Sequence, residues 1–90
     1  MSWVIYTKSK CINCDKVKRL LYYEDVKYIN CDSKLDTEYN KLEFLKMIKN
    51  KVGFTYNTFP MCFYNGEFIG GYKECSDKFY DCNFGLVVDF

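Results

Sequence analysis

The sequence predicts an α/β fold with element order β-α-β-α-β-β-α, a four-stranded mixed sheet flanked by helices, in one domain spanning residues 1–90. Three observations carry this expectation. Short apolar runs alternate with longer stretches in which apolar residues recur at helical spacing. Asn65-Gly66, the strongest two-residue hairpin signal, lies between two of the short runs. Ninety residues, 49% of them hydrophobic and 20% aromatic, can enclose one core.

Each element has its own warrant. Ser2–Thr7 (SWVIYT) is apolar, β-branched and aromatic, which suits a buried first strand. From Cys11 to Tyr23, Cys14, Val17, Leu20 and Leu21 recur on one side with lysines between them, as in an amphipathic helix. Val26–Cys31 (VKYINC) reads as a second strand, parallel to the first because a helix joins the two. Asp36 or Thr37 caps a second helix running to Lys51, and Gly53 ends it. Tyr39, Leu42, Leu45, Met47 and Ile48 are expected to form its apolar face, with Lys41, Glu43, Lys46 and Lys49 solvated. Phe54–Phe59 is a loop leading to Pro60, and Met61–Gly71 is a hairpin around Asn65-Gly66. A last helix is expected from Glu74 to Asn83, with Cys75, Phe79 and Cys82 on one side. The closing GLVVDF is either a short strand or a docked segment.

Composition narrows the function. A formal net charge of +1 gives no global argument for nucleic acid. No run approaches the roughly 18 apolar residues of a membrane span, and MSWVIYTK is too short for a signal peptide. The expected setting is therefore the cytoplasm, where thiols are mostly reduced and a Cys-x-x-Cys is metal-binding or catalytic. The chain has no Ala, Gln or His and sets twelve Lys against one Arg. That bias suggests an AT-rich genome such as a virus or parasite.

Cys11-Ile12-Asn13-Cys14 follows the first strand and opens the first helix, amid Lys8, Lys10, Lys16, Lys18 and Arg19. A sulfur there meets unpaired backbone N–H groups and the positive end of the helix dipole. Helix N-termini and neighbouring lysines lower a thiol's pKa from about 8.5 to roughly 3.5–7.5. Cys11 is thus the expected nucleophile. Cys14, a turn deeper on the apolar side, is the resolving thiol. The rival reading is a zinc ligand pair, which needs two further ligands. The chain offers no His and no second Cys-x-x-Cys, while Cys31, Cys62, Cys75 and Cys82 are scattered and most simply buried. No obligatory metal is expected.

Two features are ambiguous by themselves. Pro60, the only proline, either starts a strand in the trans form or follows a cis bond that exposes the Phe59 backbone beside Cys11. Gly70-Gly71 either makes a turn or lets a ligand approach the backbone.

Together, "CINC" after the first strand, "TFP" (Thr58–Pro60) before the third and "IGGYKE" (Ile69–Glu74) after the fourth resemble the glutaredoxins in order and spacing. Length brings the short viral and phage members nearest. The resemblance implies a thioredoxin fold, a monomer, and reduction of protein disulfides and glutathione mixed disulfides with glutathione as co-substrate. It implies that Lys8 faces the glycine carboxylate of glutathione and that Phe59 holds its cysteine through the main chain before Pro60. Asn13 and Thr58 would line the same site, and the backbone after Gly71, at Tyr72 and Lys73, would receive the γ-glutamyl end. Ile12 and Asn13 replace the family's usual proline and tyrosine, and Lys73 stands where a small polar or acidic residue is common. The partners implied are glutathione and disulfide-containing or glutathionylated proteins, with ribonucleotide reductase one candidate, and neither nucleic acid nor membrane. Two rivals keep the fold: a [2Fe–2S] carrier using Cys11 plus glutathione, and an electron donor recycled by thioredoxin reductase.

Overall fold

A computed structural model describes residues 2–84, with side chains described through residue 81. Its elements are β1 (Trp3–Thr7), α1 (Ile12–Leu20), β2 (Val26–Asn30), a short 3₁₀ turn (Asp32–Lys34), α2 (Glu38–Val52), β3 (Met61–Tyr64), β4 (Glu67–Gly70) and α3 (Tyr72–Phe84). The closing GLVVDF and the side chain of Cys82 lie outside the described residues.

The four strands form one sheet in the order β2-β1-β3-β4. β1 runs parallel to β2, from Trp3 opposite Val26 to Thr7 opposite Asn30. β1 and β3 are antiparallel, as are β3 and β4, with a register shift between Cys62 and Phe63. Asn65 closes the hairpin with φ 52° and Gly66 follows at φ 84°, the positive angles an Asn-Gly turn demands.

Period-two alternation divides the core. Trp3 and Ile5 of β1 pack with Val17, Leu21, Cys62 and Cys75 on one face, beneath α1 and α3. Met61 and Phe63 of β3 pack with Cys31, Phe44 and Ile48 on the other, beneath α2. Among the described residues no helix is long and apolar enough to cross a membrane.

α2 corrects one expectation. Thr37 is its cap, its hydroxyl accepting from the Asn40 N–H at 3.0 Å, and Gly53 ends it in left-handed conformation at φ 92°. The face turned inward, however, carries Phe44 and Ile48, with Leu45 and Val52 packed beside them. Tyr39 is 71% exposed, Leu42 58% and Met47 39%, so these three do not belong to the core-facing stripe. α3 also begins two residues earlier than the sequence pattern suggests, at Tyr72.

Candidate active site

Cys11 is the N-cap of α1, in extended conformation at φ −128° and ψ 104°. Its sulfur accepts from the Cys14 N–H at 3.2 Å, the contact a Ser or Asp side chain makes at this position. Cys11 and Cys14 form a disulfide with a Cα–Cα separation of 5.2 Å. Cys14 is 1% exposed, while Cys11 is only partly buried. The helix thus hides one sulfur and presents the other. Any negative charge arising at Cys11 Sγ meets an amide donor and the positive end of α1.

The wall opposite Cys11 comes from the strand-leading loop. The Phe59–Pro60 peptide is cis, and the Phe59 carbonyl oxygen lies 3.6 Å from Cys11 Sγ. Pro60 is buried and Phe59 partly so, its ring stacked on Phe44 of α2 with centroids 6.0 Å apart. The Lys8 ammonium sits 5.8 Å from the centroid of the Phe59 ring. A hollow of about 420 Å³ opens beside this wall, lined by Lys8, Asp32, Leu35, Lys41, Leu45, Asn57 and Phe59.

The loop that delivers Cys11 is anchored by a residue the sequence did not single out. Asp32, in the 3₁₀ turn after β2, accepts from the Ser9 N–H at 2.8 Å and also from the Ser9 hydroxyl. These bonds hold its carboxyl below the usual carboxylate range, the Ser9 hydroxyl first, with the nearby Lys8 charge a smaller contribution. Lys10 then turns the chain into Cys11 through a left-handed conformation at φ 55°. Twenty-three residues separate Ser9 from Asp32, so local pattern carried no signal of the pair.

The two glycines differ. Gly70 has φ 135°, and a Cβ there would meet the Glu74 side chain at 2.7 Å. Gly71 shows no such angle, but its Cβ would lie 3.1 Å from the Tyr56 hydroxyl and 3.7 Å from the Pro60 carbonyl. Gly71 is therefore packed beside the cis-proline wall, while Gly70 faces Glu74. Glu74 accepts from the Gly71 N–H at 2.9 Å, the reciprocal half of a capping box in which Gly71 is the cap. That bond explains the early start of α3, and the Gly71-x-x-Glu74 spacing was its visible signal. Tyr56 had none.

The expected site residues therefore separate. Cys11, Cys14, Lys8, Phe59 and Pro60 come together, and Gly71 adjoins them through Pro60. Tyr72 is the first residue of α3, with the Lys16 ammonium 5.6 Å from its ring centroid. Lys73 is helical and pairs with Asp77 at 3.5 Å, an exposed contact of small energetic weight. Asn13 and Thr58 are exposed, Asn13 in the first turn of α1 and Thr58 in the loop before Phe59. The Gly71 N–H, expected near the γ-glutamyl end, is engaged by Glu74.

The remaining described thiols are buried and free. Cys62 is pushed well above the ordinary thiol range by its hydrogen bond to Cys75 and by burial. Burial likewise raises Cys31, whose thiol lies 3.6 Å from the Ile29 carbonyl oxygen. Among the described residues, no three metal-ligating side chains converge.

A parallel β-α-β start, an antiparallel hairpin, and a dithiol at a helix N-terminus facing a cis-proline define a thioredoxin-fold dithiol protein. The glutaredoxin family model matches residues 3–69, and this chain belongs to the glutaredoxin family. A wheat glutaredoxin structure is 32% identical, with 96% of this chain and 74% of that one covered and a TM-score of 0.62. A glutaredoxin–glutathione complex from buckwheat is 24% identical over 96% of this chain and 74% of that one, at TM-score 0.68. The holo form of glutaredoxin C1 from Populus tremula x tremuloides is 24% identical over 94% of this chain and 79% of that one, also at 0.68. Among curated proteins no sequence matches this chain.

Proposed function

We propose that this chain is a single-domain, glutathione-dependent thiol–disulfide oxidoreductase that reduces protein disulfides and glutathione mixed disulfides through Cys11 and Cys14. The observation that carries the reading is the asymmetric dithiol: a partly exposed Cys11 whose sulfur caps α1, bonded to a Cys14 that is 1% exposed. Cys11 thiolate attacks one sulfur of the substrate disulfide, forming a mixed disulfide and releasing the other sulfur as a thiolate. Cys14 thiolate then attacks Cys11 Sγ, freeing the second substrate thiol and closing the Cys11–Cys14 disulfide. One glutathione thiolate reopens that disulfide at Cys11. A second attacks the glutathione sulfur, giving glutathione disulfide and restoring Cys11. Two glutathione thiols are thus oxidised for each substrate disulfide reduced.

The supports for glutathione are chemical. A peptide anion would meet Lys8, the Phe59 main chain and the α1 N-terminus. Asn13, Thr58, Tyr72 and Lys73 are proposed as the outer rim of the same site, and the cytoplasm as its setting. Proteins carrying disulfides or bound glutathione, ribonucleotide reductase among them, are the proposed acceptors.

Cys11→Ser is expected to abolish turnover. Cys14→Ser is expected to keep deglutathionylation of a small mixed disulfide but lose reduction of a protein disulfide. Equal loss in both variants would refute the division of roles. Activity with thioredoxin reductase and none with glutathione would replace the reductant, and a coloured dimer after anaerobic purification would favour the cluster carrier.

A further inference from the structure

We propose that the rim of the dithiol cleft is a docking surface for protein segments whose disulfide cysteine is flanked by aspartate or glutamate. The proposal rests on the thiol–disulfide reading above and specifies its protein substrates. Two cations lie over aromatic rings on the elements that frame the dithiol. The Lys8 ammonium is 5.8 Å from the Phe59 ring centroid, and the Phe59 carbonyl faces Cys11. The Lys16 ammonium is 5.6 Å from the ring centroid of Tyr72, next to the glycine packed against Pro60. Exposed Lys10 immediately precedes Cys11. Ile12, one residue beyond Cys11, is 73% exposed and offers an apolar contact at the centre.

The nearby acids offset this field only partly. Asp77 is paired with Lys73 and Asp15 is exposed in the first turn of α1, while Asp32 and Glu74 accept from neutral donors, which do not cancel charge. Against these stand Lys8, Lys10, Lys16 and Lys41, the last lining the same hollow as Lys8. Among the described residues no ion pair engages Lys8, Lys10 or Lys16. The glutathione reading uses Lys8 but neither Lys10 nor Lys16. A longer anionic chain would engage all three, with charges on both sides of the cysteine. Such a rim accelerates encounter with acidic partners and slows it with basic ones.

The test is single-turnover reduction of three cyclic disulfide peptides, identical except for acidic, serine or lysine flanks, by the reduced full chain. Acidic flanks are expected to react about tenfold faster than lysine flanks at low ionic strength, with the gap closing near 0.5 M salt, as for steered association. In a K10Q/K16Q variant the acidic-to-serine rate ratio is expected to fall about threefold, in line with loss of part of the steering field. Taking a ratio cancels any change in Cys11 reactivity common to all peptides. Equal rates for the three peptides, or a preference unchanged in K10Q/K16Q, overturns the proposal. Failure to reduce even the serine peptide overturns the oxidoreductase reading itself, and the docking proposal with it.

Discussion

Replacing Gly70 and Gly71 by alanine, one at a time, separates two jobs within one dipeptide. At Gly70 the backbone angle of 135° is one that side-chain-bearing residues rarely adopt, and the new Cβ would stand 2.7 Å from Glu74 Cγ and 2.8 Å from its Oε1. The strained backbone costs about 1–3 kcal/mol. Displacing Glu74 from the Gly71 N–H removes a helix cap, worth about 0.5–2 kcal/mol. The sum is about 3 kcal/mol, which lowers the melting temperature by about 12–24 °C at 4–8 °C per kcal/mol for a domain of this size. At Gly71 the one tight contact of the added Cβ is the far end of Tyr56 at 3.1 Å, which can move, and the Pro60 carbonyl at 3.7 Å is at ordinary contact distance. Its cost is expected to stay under about 1 kcal/mol, as for substitutions that strain nothing rigid. Gly71→Ala should instead slow turnover of a small glutathione mixed disulfide, because it fills the space beside Pro60. Thermal unfolding and a steady-state assay read the two effects. A Gly70→Ala protein melting within a few degrees of wild type would falsify the packing argument, and equal shifts for the two variants would refute the division of labour.

The direction of α2 is checked by Ile48→Ala, which removes a fully buried side chain and should cost about 2–5 kcal/mol. Leu42→Ala, at a position 58% exposed, should stay within about 0.5 kcal/mol in the same urea titration; the reverse order would mean that the helix is rotated. The raised thiols give stability a pH dependence. Cys62 and Cys31 keep their protons in the native state while the unfolded thiols ionise near about 8.5. Their contribution is complete below that pH and is lost as pH rises toward the folded values. The urea midpoint should therefore fall above pH 9, less steeply in Cys62→Ala, and a parallel decline in both proteins would contradict it. Asp32 works in the opposite sense, because its folded value is lowered: its contribution is present above the ordinary carboxylate pKa and fades as pH falls through the folded value. Asp32→Ala should speed hydrogen exchange at the Ser9 amide at neutral pH, whereas an unchanged rate would mean that the clamp does not hold the loop.

Legibility followed the range of the interaction. The apolar β1 run, the Asn65-Gly66 turn, the Gly53 cap and the Cys-x-x-Cys at a helix start are all local, and the sequence displays each of them; it offers Asp36 and Thr37 alike as the other cap of α2. The inward face of α2 was harder to read because two apolar stripes compete. Tyr39, Leu42 and Met47 lie on one side, Phe44 and Ile48 on another, and only the sheet beneath decides between them. The start of α3 was obscured by Lys73, which cannot cap, while the capping group lies one residue later at Glu74. Ser9–Asp32 and Tyr56–Gly71 join segments distant in the chain, and no spacing rule reaches that far. The proline was undecided between isomers because the choice depends on tertiary surroundings.

The unequal exposure of the two sulfurs gives the proposed cycle a direction. A thiolate arriving from solvent reaches Cys11, so the sulfur it expels is Cys14, which remains attached to the helix. The leaving group never diffuses away, and its return competes with every second-order event at Cys11. Tethered partners of this kind react as though present at enormous concentration, up to about 10⁵–10⁸ M when well aligned. The lifetime of any adduct on Cys11 is therefore a contest between reclosure from within and capture from outside, and the depth at which Cys14 is held sets the odds.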